Sequence, residues 1–510
     1  MKSRTLIFAM MIGMMIFFSN SNMSAQTWFE YQGYLTPTGQ PAEAYFKDVV
    51  LGDVDNDGDL DILAPQKQQV ANVFKSNIDH LYINNGNLSF TLKPINEAFP
   101  TPFDTRQCYD AEFVDLDNDG NLDIVRPDRE RIYILYGNGA GVFADVFQIE
   151  PFSGNYDDAT VADIDGDGDM DFIIANYSGG ASLIYLNKYT QSNVRNDFTI
   201  DQTTLINSGT THSVSLGDYD NNGKLDLTLA NHNTSKIYTG NGTGGFTFFK
   251  NLSAVPSIGV TPVGDFIDLD QNGLLDLFMG RDNGTAGILF HSGNNSDPYS
   301  NFTQLATTPG PRVYDARYDD VDGDGDIEII TVNCCGSSVV TVYARNTAGN
   351  FVNVTNSFVA ESHGGFGIAV GDLDGDLDLD LITGGTTGPA DPADPSAVHI
   401  YKNILSDPPS APQNLTPTIV NSAKNPRLDW NASVEPDLKE YEVWKNKDNG
   451  GWNLLATTTN AYYIDYSETG VDFAQFSNNI EIKYKLKAVD MLNNKSNFSS
   501  TVTFNQKGGA

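Results

Sequence analysis

One short acidic segment recurs seven times along the chain, and no other feature restricts the fold so tightly. Its first copy reads Asp53-Val-Asp55-Asn-Asp57-Gly58-Asp-Leu-Asp61. Oxygen-bearing side chains return at the same positions 1, 3, 5 and 9 in six more copies. These are Asp115, Asp117, Asp119 and Asp123; Asp163, Asp165, Asp167 and Asp171; Asp218, Asp220, Asn222 and Asp226; Asp268, Asp270, Asn272 and Asp276; Asp320, Asp322, Asp324 and Glu328; and Asp372, Asp374, Asp376 and Asp380. Successive copies start 48 to 62 residues apart. A fixed period of that size belongs to repeat architectures, in which each unit buries its apolar face against its neighbours.

The surroundings of the segment give the unit its secondary structure. A short run that reads as a strand precedes it (Asp48 to Gly52, Thr211 to Gly217, Phe366 to Gly371). An apolar run follows it directly, as in Asp61-Ile-Leu-Ala-Pro65, Asp171-Phe-Ile-Ile-Ala175, Asp226-Leu-Thr-Leu-Ala230 and Glu328-Ile-Ile-Thr-Val332. These runs are too short and too rich in β-formers for helices, and their continuous apolar character predicts strands covered on both faces. A third strand and a Gly/Asn-rich hairpin come next, at Ile132 to Phe143 and Ile237 to Phe246. About fifty residues holding four short strands is the size of a propeller blade, and seven is within the usual range of blades. The expected fold is all-β, a seven-bladed β-propeller over residues 27–405, with a parallel β-solenoid as the alternative. The seventh unit lacks an outer strand before Pro408, so Trp28 to Tyr34 is expected to close the ring by pairing with the last blade.

Oxygen ligands at positions 1, 3, 5 and 9 of a tight loop, with Gly at position 6 for the sharp turn, converge on one point and suit a hard cation. Calcium is the expected cofactor, structural in role, at about five to seven ions. Octahedral magnesium suits so carboxylate-rich a cage less well. Most Asp-Gly pairs mark only solvated turns, but seven copies in one register argue against that here. EF-hands are excluded, because position 12 is Ala64 in the first copy and Arg126 in the second and strands flank the loop. Asn222 and Asn272 weaken two of the sites, and Leu377 in place of the turn Gly is expected to distort the seventh or lower its occupancy.

The acidic loop running into Asp61-Ile-Leu-Ala-Pro65, together with Phe366-Gly367 ahead of the seventh loop, resembles the FG-GAP repeats of integrin alpha subunits and the related VCBS repeats of secreted bacterial proteins. The resemblance covers roughly residues 27–405. It implies a propeller with calcium in loops on one rim. It leaves the ligand open, since propellers of this kind serve as adhesion modules, as lectins and as scaffolds for polysaccharide lyases.

The acidic loops stop at Asp380, and a Pro-rich linker at 406–412 follows. Beyond it Leu428-Asp-Trp430, Tyr441-Glu-Val-Trp444 and Tyr484 to Val489 alternate apolar and polar residues, as half-buried strands of a sandwich do. Residues 413–505 resemble a fibronectin type III domain, with Trp430 as core tryptophan and Tyr484 as candidate corner tyrosine.

At the other end Lys2 and Arg4, an apolar run from Leu6 to Phe18, and Ser24-Ala25 have the layout of a secretory signal peptide over residues 1–25. The run is shorter than the roughly 20 residues of a membrane-spanning helix. The expected location is secreted, cell-surface or periplasmic. Sixty-six acidic residues against thirty basic ones oppose binding to nucleic acid and to anionic lipid, and no membrane insertion is expected. The three cysteines, 108, 334 and 335, form no disulfide scaffold. The adjacent pair is either a vicinal disulfide or two small core residues.

No motif for a catalytic nucleophile, a catalytic zinc or a phosphate loop is present, so binding of an extracellular glycan or protein is expected rather than catalysis. Residues five or six before each acidic loop fall at the opposite rim of the channel: Asp48, Tyr109, Asp110, Asp158, His212, Tyr314 and Asp315. Of these Tyr109, Asp110, His212, Tyr314 and Asp315 are the candidate ligand-binding set, because aromatics beside carboxylates suit sugar rings. The plainer alternative is that they fill and solvate the channel. A polysaccharide lyase or other glycan-active enzyme is the alternative function; a lyase needs a Tyr or His base beside a charge-neutralising Arg or metal, and Arg106 and Arg312 fall close in sequence, while His212 and His363 each lie just before an inner-strand segment.

Overall fold

The computed structural model describes residues 28–35, 44–68, 79–100, 108–128, 131–149, 154–200, 206–207, 209–252, 261–281, 286–305, 312–334, 340–346, 348–355, 365–385, 397–404, 409–432, 438–448, 450–474, 479–490 and 494–507. The signal-peptide segment, Arg106, His363 and Cys335 lie outside them. The fold is all-β, and among the described residues the only helices are single turns at Ile95–Ala98 and Tyr189–Ser192. No helix of the described residues is long and apolar enough to cross a membrane.

Seven antiparallel sheets of the same design succeed one another. In sheet 1 the strands Val50–Gly52, Asp61–Ala64, His80–Asn84 and Phe90–Lys93 are paired in chain order. The first strands of sheets 2 to 7 are Glu112–Val114, Tyr156–Ala162, Thr211–Gly217, Val263–Ile267, Arg312–Asp319 and Gly367–Gly371. Each is joined to its second strand by one acidic loop, and position 9 of that loop is the second strand's first residue. Second strands are buried along their whole length, as in Asp171–Asn176 and Asp226–Asn231, which is the consequence of sheets packed against both of their faces. Sheet 7 is completed from the far end of the chain: Phe29–Leu35 pairs antiparallel with Val398–Asn403, Phe29 opposite Asn403 and Leu35 opposite Val398. The expected closure by Trp28 to Tyr34 is therefore observed, shifted by one residue. Sheet 3 adds an unforeseen fifth strand, Ile206–Asn207, beside its third.

The apolar core is divided seven ways, and the division reveals a ring. Each cluster is shared by two successive sheets. Val125, Ile134, Phe172 and Ile174 join sheets 2 and 3, Phe278, Ile288, Ile329 and Tyr343 join 5 and 6, and Ile62, Tyr82, Leu373 and Ile382 join sheet 7 back to sheet 1. The first strands also touch in cyclic order, Gly367–Gly371 meeting Val50–Gly52. A cyclic series of sheets packed face to face is a propeller-like arrangement.

Beyond the ring, Thr416–Val420, Asn425–Asp429 and Tyr462–Ile464 form one sheet, and Asn453–Thr458, Leu438–Lys447, Asn479–Asp490, Val502–Lys507 and Val471–Asp472 form another. A single core takes residues from both, including Leu428, Trp430, Val443, Tyr484 and Phe504, so the two sheets face each other as a sandwich. Trp430 is buried and meets Tyr441 edge-on at 5.2 Å. The Tyr484 hydroxyl donates to Asp465 Oδ2 at 2.7 Å. A corner tyrosine bonds backbone instead, so Tyr484 does not fill that expected part.

Candidate functional site

Two sites lie at opposite ends of the same first strands, the acidic loops at one end and a cavity at the other. In each loop the position-1 aspartate organises the backbone. Asp53 accepts the N–H of Asp57 at 3.1 Å and of Gly58 at 3.0 Å, and Asp115, Asp163, Asp218, Asp268 and Asp372 accept the same pair. The backbone turns through positive φ twice. At position 6 this takes Gly58, Gly120, Gly168, Gly223, Gly273 and Gly325, and at position 4 it takes Asn56, Asn118, Gly166, Asn221, Gln271, Gly323 and Gly375. Asn and Gly tolerate that region best, and this second turning point escaped the sequence reading although position 4 is Asn or Gly in six copies.

Position 9 does more than offer a ligand. Asp61 is fully buried and accepts the N–H of Val54 at 3.0 Å and that of Asn84, in the third strand, at 2.8 Å. Asp123, Asp171, Asp226, Asp276 and Asp380 repeat this staple between loop and the end of the third strand, the donors Gly137 and His291 lying just beyond it. The loops also hold their neighbours. Asn84, Asn187 and Asn403 donate through Nδ2 to the position-2 carbonyls of the preceding loops, Leu373, Leu116 and Val321, at 2.8, 2.7 and 2.9 Å.

The electrostatics of this rim are unbalanced. Burial pushes the position-9 carboxyls up to about 6 at Asp61 and Asp226, about 7 at Asp123, Asp171 and Asp276, about 8 at Asp380 and about 9 at Glu328. Asp53, Asp55 and Asp57 bring one oxygen each within 4.8 Å of one another, as do Asp115, Asp117 and Asp123, and the matching residues of the third, fourth and fifth loops. Buried Oδ1 atoms of Asp55, Asp165, Asp320 and Asp374 have no hydrogen-bond partner. Clustered oxygens with buried atoms unsatisfied are a donor set that fits a hard cation. Among the described residues three loops meet a cation of the chain itself at their ligand positions: Lys188 Nζ lies 2.6 Å from Asp165 and 3.1 Å from Asp167, Lys402 Nζ 2.6 Å from Asp374 and 3.2 Å from Asp376, and Arg195 pairs with Asp117. The expected distortion of the seventh loop is absent. Leu377 takes φ +77°, its N–H reaches Asp372 at 3.1 Å as the glycines' do, and the Asp380 staple to Leu373 is kept at 2.9 Å.

At the other end of the strands is a cavity of about 660 Å³. Tyr109, Asp110, His212, Tyr314 and Asp315 all line it, as do Asp48 and Asp158. The sequence reading thus brought together residues of five sheets that share one space. Two of the set also have work in the ring itself. Asp110 Oδ2 accepts the N–H of Ala159 in the next sheet at 2.7 Å, and Asp315 Oδ2 that of Ile368 at 3.0 Å; Asp158 does the same for Val214 at 2.7 Å. Missed were Lys47, Glu112, Asp157, Tyr177, Asp265, Arg317 and Phe366. Glu112 and Arg317 were legible, because each lies two residues beyond a predicted lining residue and strand side chains repeat every two.

The cavity has two unlike arcs. On one, His212 Nδ1 is 2.8 Å from Asp157 Oδ2 and its ring meets Tyr177 edge-on at 4.7 Å. On the other, Lys47 Nζ sits over three rings, 3.8 Å from the centre of Phe366, 5.2 Å from Tyr314 and 5.3 Å from Tyr109. Between them the carboxyls crowd. Burial, then the Asp48 carboxylate, pushes Glu112 up to about 8; burial, which outweighs the Tyr318 hydrogen bond, pushes Asp265 up to about 6. Asp48 and Asp110 are raised well above the carboxylate range, first by burial and then by neighbouring carboxyls. Arg317 relieves part of this, with Nη1 2.7 Å from Asp315. Arg312 is exposed at the start of its strand and does not line the cavity.

Four segments of the chain, 115–174, 163–229, 218–279 and 320–383, match the FG-GAP-like repeat. Each begins at position 1 of an acidic loop and ends in or just before the close of the next sheet's second strand. The chain carries FG-GAP-like repeats. A search of curated proteins returns no match. Among solved structures the chain is similar to a lectin of Agrocybe aegerita, described as specifically recognising non-reducing terminal N-acetylglucosamine, at 17% identity and a TM-score of 0.42, over 63% of this chain and 82% of that one.

Proposed function

We propose that this FG-GAP repeat protein is a secreted or cell-surface, calcium-loaded seven-bladed β-propeller with a fibronectin type III-like domain behind it, and that it acts as an extracellular adhesion or binding module. Its ligand, a glycan or a protein, is taken at the cavity. The observation that carries this reading is the convergence of Tyr109, Asp110, His212, Tyr314 and Asp315 on one 660 Å³ space, since a concavity with a few converging aromatic and polar groups is where ligands bind by default. The seven sheets in cyclic order support the blade count, and the two facing sheets around Trp430 support the C-terminal assignment. Calcium is supported by the all-oxygen donor sets, whose position-1, -3 and -5 side chains and buried unsatisfied oxygens suit a cation that takes six to eight oxygen ligands. When bound, it would supply positive charge to Asp53, Asp55, Asp57 and their counterparts. The signal-peptide layout of residues 1–25 supports export. A lyase acting on uronic-acid polymers is disfavoured by a space lined with carboxyls, whose guanidinium, Arg317, is already engaged by Asp315.

The test is a glycan and extracellular-matrix array read with the full chain and with the double variant Tyr109→Ala, Tyr314→Ala. Binding should be lost in the variant while calcium content and melting temperature hold. Binding that survives the double change and is lost on deleting residues 408–510 would move the recognition surface to the C-terminal domain.

A further inference from the structure

We infer that the group recognised in the cavity is a protonated alkylamine, and that Lys47 is a tethered occupant which such a ligand displaces. The inference rests on the cavity being the binding site, and adds the chemistry of what enters it. The first ground is the cage. Phe366, Tyr314 and Tyr109 come from sheets 7, 6 and 2, and their rings surround one ammonium, that of Lys47, at 3.8, 5.2 and 5.3 Å. Tyr314 and Phe366 stand edge to face at 5.1 Å, so the faces offered to the ammonium are set by ring packing. Three aromatic faces within about 6 Å of one site form a receptor for a cation, because the electron-rich faces attract positive charge.

The second ground is the carboxyl-rich wall behind the cage. Asp48, Asp110, Asp158, Asp265, Asp315 and Glu112 line the space. Among the described lining residues the cations set against them are Lys47 and Arg317, the latter paired with Asp315. Burial holds several of these carboxyls toward their neutral forms, Asp48, Asp110, Asp158 and Glu112 among them. A polyanion would push them further that way and an uncharged sugar would leave them so, whereas an entering ammonium favours their ionised forms and pairs with them.

The third ground is how Lys47 is held. Its backbone is anchored, with the N–H donating to Pro65 O at 3.2 Å and the buried Phe46 and Asp48 on either side. Only the side chain can leave, through four flexible methylenes, and the volume of about 660 Å³ exceeds what one lysine side chain fills. Lys47 therefore competes with an incoming amine for the same cage without any change of fold. If the cage is vacated by Lys47 about one-tenth of the time, the apparent affinity for an external amine is about tenfold below the intrinsic one.

Calorimetry with the full chain tests this, using cadaverine and a glucosamine oligomer as two sources of the same ammonium group, and the N-acetylated oligomer and an oligouronate as controls. Either amine should bind, the controls should not, and Lys47→Ala should bind the amine about tenfold more tightly. If Lys47→Ala is destabilised, its melting temperature is the second readout: cadaverine should raise it by filling the emptied cage, and no rise overturns the inference. Equal or weaker amine binding by a folded Lys47→Ala, or binding of the N-acetylated oligomer as tight as that of the amine, overturns the inference. A ligand from the array that needs Tyr109 and Tyr314 yet is not displaced by cadaverine would overturn the amine alone and leave the cavity as the site. Amine binding indifferent to Tyr109→Ala with Tyr314→Ala would overturn both.

Discussion

Residues 411–510 carry ten basic and eleven acidic side chains, whereas residues 1–410 carry twenty and fifty-five. The same imbalance appears in how single carboxyls are treated. In the C-terminal unit burial would raise Asp465, but hydrogen bonds from Ser467, Tyr484 and Lys445 hold it below its ordinary range; Arg427 does the same for Asp429. Glu442 is held down by Lys495 and Trp444 against its burial. In the ring, burial wins at Asp61, Asp123, Asp171, Glu112 and Asp110. Asp167 and Asp376, beside Lys188 and Lys402, are lowered, whereas burial still wins at Asp374 and Asp117 although Lys402 and Arg195 pair with them. One unit carries its cations in its own sequence, and the other, among the described residues, brings them to the ligand positions of three of its seven acidic loops.

The largest expected effect separates the two units by metal. Unfolding followed by calorimetry should show two transitions, and excess chelator should lower that of the ring by more than about 10 °C, since each site at tenfold its dissociation constant contributes on the order of 1.4 kcal/mol. The C-terminal transition should not move. A ring that melts unchanged in chelator removes calcium from the account. The converse variant is Asp465→Asn, which strips charge from the buried partner of Lys445 at 2.9 Å and of Tyr484 at 2.7 Å. It should cost the C-terminal unit about 2–4 kcal/mol in denaturant unfolding and leave the ring's metal content untouched.

Proton linkage should have opposite signs in the two units. Glu112 and Asp265 face the cavity with values of about 8 and about 6 against ordinary values of 4.5 and 3.8. A carboxyl raised on folding stabilises fully below its unfolded value and loses that contribution as pH rises through the folded one. The ring's melting temperature, measured at constant saturating calcium, should therefore fall between pH 5 and pH 8. Asp465 and Asp429 are lowered, so their contribution is present above 3.8 and is lost on acidification below it. The C-terminal transition should be flat between pH 5 and 8 and drop only near pH 3. Parallel pH profiles would remove the distinction.

How much of this was legible follows from what each signal depends on. The seven loops, the strands beside them and the closure by Phe29–Leu35 were readable because period and missing-strand arithmetic need no three-dimensional knowledge. Tyr109, His212 and Tyr314 were placed at one mouth because strand rise fixes which end of a first strand they occupy. Lys47 and Phe366 were not, since the cage depends on four sheets meeting around an axis and no local pattern encodes that distance. The staple made by Asp61 was hidden for a related reason, as its partner Asn84 lies a whole strand further on. Tyr484 was misassigned because its buried hydroxyl found a carboxylate, and sequence cannot choose between a backbone and a side-chain acceptor.

The smallest effect asks whether the ring's loops are held by cation or by backbone conformation. Six of the seven have Gly at position 6, and a Cβ built on Gly58, Gly120, Gly168, Gly223, Gly273 or Gly325 would meet nothing within 4 Å. Space therefore does not demand glycine there; the positive φ alone does. Leu377 is the natural experiment, adopting φ +77° with its side chain 90% exposed. A leucine in that region costs about 1–2 kcal/mol, and part of the gain on replacement returns as the greater chain entropy of an unfolded glycine, about 0.5–1 kcal/mol. Leu377→Gly should then stabilise the ring by up to about 1 kcal/mol, and the reciprocal Gly120→Leu should cost about as much. Because the backbone hydrogen bonds that Asp372 and Asp380 accept are already formed with leucine in place, the gain should be the same with calcium and in chelator. A gain seen only with calcium would mean that the loop takes this conformation only when loaded, and that the ring depends on its cation for shape as well as for charge.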